Sequence, residues 1–220
     1  MPSLPPDRQR FLREHTRILA PDLLPELELH LASELVPLWE STEVDLEAVG
    51  LAPPFWAFAW AGGQALARYV LDHPHLVAGR SVLDFASGSG LVGLAAARVG
   101  AREVRCADVD PLAAVAIRAN ALHNGLEVTT TTVDLVGSLD LAEEVILAGD
   151  ICYEAPLAER VENWLRALAG TGRTVLLGDP GRTFAPKGGL SELATYDVAT
   201  TLEIEDRAVR RATVWRVLPA

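Results

Sequence analysis

From residue 80 to residue 178 short apolar runs alternate with stretches of helical periodicity, and this rhythm constrains the fold more than any other feature of the chain. Apolar runs at 81–86, 103–108, 127–133, 144–149 and 173–178 read as strands, the third one rich in threonine. Between them lie helical patterns at 91–99, 111–123 and 155–169. The 111–123 helix starts at Pro111 and is expected to bury Leu112, Val115, Ala116, Ala119 and Leu122. The 155–169 helix is expected to bury Leu157, Val161, Trp164, Leu165 and Leu168. Alternating strands and helices imply a parallel sheet covered on both faces, with right-handed crossovers. Residues 193–202 and 208–218 form two further strands with no helix between them, so they should close the sheet as an antiparallel hairpin.

Ahead of this core the pattern is less regular. Residues 5–19 read as a surface helix with Phe11, Leu12, Ile18 and Leu19 apolar, ended by Pro21 and Pro25. Residues 26–31 alternate polar and apolar as a half-buried strand would. Pro37, Pro53 and Pro54 forbid long regular elements over 35–54. A helix resumes at 62–72 and stops at His73-Pro74-His75. The expected fold is therefore α/β and Rossmann-like: a mostly parallel seven-stranded sheet with a C-terminal antiparallel hairpin. Residues 1–55 are expected to form an extension packed on a domain spanning 56–220. A chain of 220 residues leaves no room for two full enzyme domains.

Composition narrows the class. No apolar run approaches the roughly 18–20 residues that span a bilayer, and charges at Asp7, Arg8, Arg10, Arg13, Glu14 and Arg17 interrupt the first twenty residues. A membrane partner is not expected. Cys106 and Cys152 lie inside apolar segments, as reduced buried thiols of a cytoplasmic protein would. The net charge of −11 argues against a duplex nucleic-acid partner, since the densest basic group is only Arg207, Arg210 and Arg211. That acidity serves either solubility or attraction of a basic target such as a lysine-bearing protein. His73 and His75 have no spaced cysteine or carboxylate partner, so no metal site is expected.

The segment Val82-Leu83-Asp84-Phe85-Ala86-Ser87-Gly88-Ser89-Gly90 runs a buried strand through a tight turn into a helix. Ligands of open α/β sheets bind at such strand ends. Gly88, Gly90 and Gly93 also satisfy the dinucleotide fingerprint G-x-G-x-x-G, so an NAD-dependent oxidoreductase is one alternative. Charge separates the two cofactors. A dinucleotide brings an anionic pyrophosphate, whereas S-adenosylmethionine brings a cationic sulfonium and an α-ammonium. Asp84 just before the glycines favours S-adenosylmethionine. Asp108, followed by Val109, is placed to accept hydrogen bonds from ribose hydroxyls, a role common to both cofactors. Asp134 is placed to accept one from the adenine amino group, with a turn residue as the alternative. Asp110 reads as the cap of the next helix.

Gly149-Asp150-Ile151-Cys152-Tyr153-Glu154 follows the fourth strand on the same edge. Methyl transfer is an in-line displacement in which the protein mainly positions and desolvates the nucleophile. For a lysine, with a reference pKa of about 10.4, the amine must first be neutral. Asp150 can then hold the nitrogen while Tyr153 supplies an aromatic wall. The alternative is that Asp150 caps the helix over 155–169. Asp179-Pro180-Gly181-Arg182 is a rigid turn on that edge, structural or gating. Trp60-Ala61-Gly62-Gly63-Gln64 offers small residues for close approach to a cofactor.

Together these segments resemble the electron transfer flavoprotein β-subunit lysine methyltransferases, a branch of the seven-stranded lysine methyltransferases. The resemblance runs from about Pro25 to Trp215. It rests on P-E-L-E-L-H-L at 25–31, P-x-W-A-x-x-W-x-G-G-Q-A-L across 54–66 and V-L-D-F-A-S-G-S-G at 82–90. D-V-D-P at 108–111, G-D-I-C-Y at 149–153, G-D-P-G-R at 178–182 and T-V-W at 213–215 continue it. The resemblance implies methylation of lysines on the flavoprotein β subunit, with Asp150 and Tyr153 in an Asp-x-Phe-Tyr motif at the lysine site. The cofactor contacts expected are Trp60, Asp84, Ala86, Ser87, Gly88, Gly90, Asp108, Val109, Asp134 and Asp150. Ala86 stands where the family's first loop glycine is usual, and Cys152 stands where it has Phe, which thins the expected aromatic wall. A ribosomal protein or small-molecule substrate, and a non-catalytic cofactor-binding module, are the further alternatives.

Overall fold

The computed structural model describes residues 7–32, 54–200 and 208–220. Its centre is one seven-stranded sheet built from β3 (Ser81–Phe85), β4 (Glu103–Ala107), β5 (Thr129–Thr131), β6 (Val145–Gly149), β7 (Thr174–Asp179), β8 (Leu190–Ala199) and β9 (Val209–Val217). The strand order is β5-β4-β3-β6-β7-β9-β8. Pairing is parallel from β5 through β7, and β9 joins β7 and β8 antiparallel. The parallel core and the closing hairpin are those the sequence rhythm predicts. The strand order reverses between β3 and β6, which places a ligand-sized crevice at the carboxyl ends of those strands.

Alternation along each strand divides the apolar residues between two faces. Val82, Val145, Leu147 and Leu176 point to one face, beneath α2 (Ala61–Asp72), α3 (Leu91–Arg98) and part of α4 (Pro111–His123). Leu83, Ile146, Ala148, Val175 and Leu177 point to the other, beneath α5 (Ala155–Gly170). Helix α5 buries Val161, Trp164, Leu165 and Leu168 as expected, and Ala158 and Ala169 with them. In α4 Leu112, Val115 and Ala116 are buried as expected, Ala119 is half-buried, and the stripe is off at its end: Ile117 and Ala121 are buried, whereas Leu122 projects into solvent at 83% exposure.

The N-terminal region departs most from the sequence pattern. The helix expected over 5–19 is shorter, α1 (Arg8–His15), and is followed by β1 (Arg17–Leu19), paired antiparallel with β2 (Leu29–Leu31). Thr16 ends the helix in extended backbone while its Oγ1 donates to the Leu12 carbonyl at 2.6 Å. A β-branched residue that bonds back to the preceding turn favours leaving the helix here. Leu12 packs with Trp56, Phe58, Leu112 and Val115, so α1 is pinned against α4. Two asparagines one turn apart on α4 hold β2. Asn120 accepts from the His30 N–H at 2.7 Å and donates to the Ser89 carbonyl at 2.8 Å. Asn124 donates to the Glu28 carbonyl at 2.6 Å. The irregular stretch expected at 35–54 lies, apart from Pro54, outside the described residues. Among the described residues no helix is long and apolar enough to cross a membrane.

Helix α2 crosses the ends of β6 and β7 at unusually close range. A Cβ on Gly178 would stand 2.2 Å from the Gly62 carbonyl oxygen, and one on Gly62 would stand 2.5 Å from the Gly178 oxygen. Only glycines allow this contact, because no side chain can be moved aside to relieve a clash between two backbones. Replacing Gly178 with Ala should therefore cost about 1–3 kcal/mol of stability by overpacking. Chemical denaturation would measure it, and an unchanged midpoint would show that α2 does not lie this close to the sheet.

Candidate functional site

A cavity of 560 Å³ opens at the carboxyl edge of β3, β4 and β6. Aspartates dominate its polar lining: among the described residues, Asp108, Asp110, Asp134 and Asp150 face Arg182 as the one basic side chain. Apolar walls come from Phe85, Val109, Val133 and Val136, and the aromatic rim from Phe55, Trp60 and Tyr153. The Phe55 ring lies 5.3 Å from Tyr153 and 6.0 Å from Trp60, and Trp60 Nε1 donates to the Phe55 carbonyl at 2.9 Å. Tyr153 is 48% exposed, which puts it at the mouth rather than in the core.

One wall is the glycine loop. Asp108 Oδ2 accepts from the Gly88 N–H at 2.8 Å while its Oδ1 accepts from the Asp110 N–H at 2.9 Å. This carboxylate ties the loop to the end of β4. Asp110 caps α4 through the Leu112 N–H at 2.7 Å, as its Asp-Pro context predicts. Ala86 holds a left-handed φ of 53°, a conformation glycine takes without cost and alanine does not. The departure from the family glycine thus keeps the turn and strains it. Asp134 accepts from the Val136 N–H at 3.0 Å, so it shapes its own turn and lines the cavity as well.

The floor is Asp150. Its backbone also has positive φ, 57°, and its N–H donates to the Gly178 carbonyl at 2.9 Å. Its Oδ2 accepts from the Gly62 N–H, its Oδ1 accepts from Arg182 Nε at 2.8 Å, and Arg182 Nη2 forms an ion pair with the same oxygen at 2.8 Å. Asp150 therefore caps a helix, but α2 and not the helix expected: the N-cap of α5 is Glu154, with no side-chain bond. Burial pushes the Asp150 carboxyl above the ordinary carboxylate range, and the Arg182 charge opposes that shift. The Arg182 guanidinium lies 5.7 Å from the Trp60 ring centre.

The geometry corrects four expectations. Asp84, Ser87 and Gly90 do not line the cavity. Asp84 shares its strand face with Val82, so it points beneath α3, where it is 1% exposed and its Oδ2 accepts from the Gly93 N–H at 2.8 Å. It supplies an acceptor for the helix N-terminus and does not line the cavity. Ser87 Oγ donates to the Asp84 carbonyl at 2.7 Å, closing the turn from within. Gly90 is the N-cap of α3, with φ of 83°. Cys152 lies outside the aromatic wall: it is 2% exposed, and burial pushes its thiol up to about 12, so it is no nucleophile. Trp60, Ala86, Gly88, Asp108, Val109, Asp134, Asp150 and Tyr153 do meet at the cavity. Sequence reasoning missed Arg182 and Phe55 as site residues. The signal for Arg182 was present in Gly178-Asp179-Pro180-Gly181-Arg182, where the turn residues drew attention away from the guanidinium that the turn presents.

The family model "Ribosomal protein L11 methyltransferase (PrmA)" matches residues 64–178. The "Electron transfer flavoprotein beta subunit lysine methyltransferase" of Homo sapiens is 34% identical over 226 residues, covering 98% of this chain and 84% of its own length. That of Danio rerio is 35% identical over 217 residues, covering 96% and 83%. Among solved structures, the ribosomal protein L11 methylase from Lactobacillus delbrueckii subsp. bulgaricus aligns with a TM-score of 0.51 at 18% identity. It covers 74% of this chain and 81% of its own, and at that identity shows the shared fold alone.

Burial pushes the Asp84 carboxyl up to about 7, above the unfolded value of about 3.9. The native state then keeps a proton that the unfolded chain releases, so this residue's contribution to stability falls as pH rises from about 4 to about 7. Asp84→Asn keeps an acceptor for Gly93 without the charge. Its unfolding free energy relative to wild type should rise across that window. A difference that does not change with pH would place the Asp84 carboxyl in the ordinary range.

Proposed function

The chain belongs to the electron transfer flavoprotein β-subunit lysine methyltransferase family and is an S-adenosylmethionine-dependent methyltransferase, and from this premise we propose that it methylates lysine side chains of the electron transfer flavoprotein β subunit. The observation that carries the lysine assignment is Asp150, a carboxylate fixed at the floor of an acidic cavity beneath the rim of Phe55, Trp60 and Tyr153.

The donor set fits the cofactor. S-adenosylmethionine supplies a methyl group already activated on a cationic sulfur. Among the described residues four carboxylates and one guanidinium line the cavity, and the guanidinium is bound to Asp150, a balance that suits a cation and opposes a pyrophosphate. Asp108 would take the ribose hydroxyls, Asp134 the adenine amino group, and Val109, Val133 and Val136 the base faces. Ala86 and Gly88 would bring backbone close to the ligand, with Trp60 closing the side near α2.

On the substrate side, the aromatic rim suits the aliphatic stem of a lysine and the positive end it carries into the site. The amine must shed its proton before it can attack, so turnover should rise with pH through the neutral range. Asp150 then accepts a hydrogen bond from an amine N–H and turns the nitrogen lone pair toward the methyl group. Desolvation at the cavity floor strengthens that bond. The match to the L11 methyltransferase model favours a second reading, in which another protein carries the target lysine.

Incubation with labelled cofactor and either purified flavoprotein or ribosomal protein L11, followed by mass mapping, tests the substrate. Label is expected on β-subunit lysines, and label on L11 alone would overturn that assignment. Asp150→Asn keeps an acceptor for the Gly62 N–H, and should lower transfer by about 100-fold or more. S-adenosylhomocysteine affinity measured by calorimetry should change far less. If affinity collapses instead, Asp150 serves the cofactor and not the amine.

A further inference from the structure

We propose that Arg182 is the positioning residue of this site: it keeps the Asp150 carboxylate charged and covers Oδ1, so that Oδ2 is the oxygen left open to the substrate amine. The proposal rests on the role given to Asp150 above. A carboxylate offers about four acceptor directions. On Asp150, Nε of Arg182 donates to Oδ1 and Nη2 lies 2.8 Å from the same oxygen, while the Gly62 N–H takes one direction at Oδ2. The guanidinium covers Oδ1, so the acceptor left to a ligand is Oδ2, and Asp150 is a cavity-lining residue. A bound amine is thereby offered one oxygen to orient it, which is what an in-line displacement requires.

Arg182 is itself held at several points. Asp179 Oδ1 accepts from the Gly181 and Arg182 N–H groups at 2.7 and 2.8 Å, and Pro180 between them fixes the turn. Asp179 is 2% exposed, so this anchor is built into the end of β7. The guanidinium meanwhile packs over the Trp60 ring. Turn, strand end and aromatic rim therefore converge on one side chain.

The charges around Asp150 define what Arg182 contributes. Asp179, from β7, disfavours a second negative charge at Asp150. Cys152, from the loop after β6, is a buried neutral thiol. From α2 comes only the Gly62 N–H. Arg182 is thus the cation that opposes burial and Asp179, offsetting part of their effect. Lysine in its place would restore the charge but not the planar guanidinium that sets both Nε and Nη2 against Oδ1.

Arg182→Met and Arg182→Lys are compared with wild type in two ways. In flavoprotein methylation, Arg182→Met should lower kcat about 100-fold near neutral pH, with KM for the flavoprotein nearly unchanged. Its kcat should also fall more steeply with acid, since Asp150 as well as the amine must then lose a proton. Arg182→Lys should recover about a tenth of the wild-type rate and the wild-type pH dependence. Independently of any substrate, carboxyl 13C resonances of aspartate-labelled protein, with Asp150 assigned through Asp150→Asn, should titrate at clearly higher pH in Arg182→Met. An unshifted Asp150 resonance, or a slower variant that keeps the wild-type pH dependence, would make Arg182 a purely structural residue and overturn the proposal. Wild-type enzyme inactive on the flavoprotein would refute the substrate assignment alone, since the carboxyl titration still decides the role of Arg182. Should Arg182→Met not fold, Arg182→Gln carries the same measurements.

Discussion

Helices that follow parallel strands start at the carboxyl edge of the sheet, and each arrives with backbone N–H groups that have no partner within the helix. Much of this structure follows from meeting that need with carboxylates. Asp84 serves α3 through Gly93, Asp110 serves α4 through Leu112, and Asp150 serves α2 through Gly62. Asp84 and Asp150 are buried and Asp110 half-buried to do so, and each is pushed upward in pKa, Asp84 to about 7 and Asp110 to about 6. The positive ends of the helices offset part of that cost. An acidic crevice is thus a by-product of capping, and a cationic ligand can use what the helices leave over.

Asp150 can act in this way only because α2 comes down onto the sheet where Gly62 and Gly178 meet backbone to backbone. Side chains at either position would lift the helix and carry the Gly62 N–H away from the carboxylate. The same crossing brings the start of α2, and Trp60 with it, over the cavity. A packing detail therefore sets the electrostatics of the floor and the position of the rim together.

The core was legible in the sequence because its signals are periodic. Alternating βα units gave the parallel order, and the absence of a helical pattern between the last two strands gave the hairpin. The first segment was not legible, because Ile18 and Leu19 continue a plausible helical stripe and only the back-bonding of Thr16, with β2 as partner, turns them into a strand. For the site, strand-end aspartates were easy to find and hard to orient. Asp84 and Asp108 look alike in sequence, yet strand parity sends Asp84 under a helix while Asp108 lines the crevice. Arg182 escaped notice because its importance lies in a partner 32 residues away, and sequence spacing carries no trace of that pairing.

The amide of Asn120 carries one more consequence. One end of it holds β2 and the other holds the loop that bears Gly88 and Gly90, and Asn120 itself is fully buried. A graft that exchanged the leading segment for a foreign one would have to offer its own donor to that oxygen, or leave a polar atom stranded next to the ligand loop. In lineages descended from a common ancestor, then, the front of the chain and the cofactor loop are expected to change in step, even though ninety residues of sequence separate His30 from Asn120.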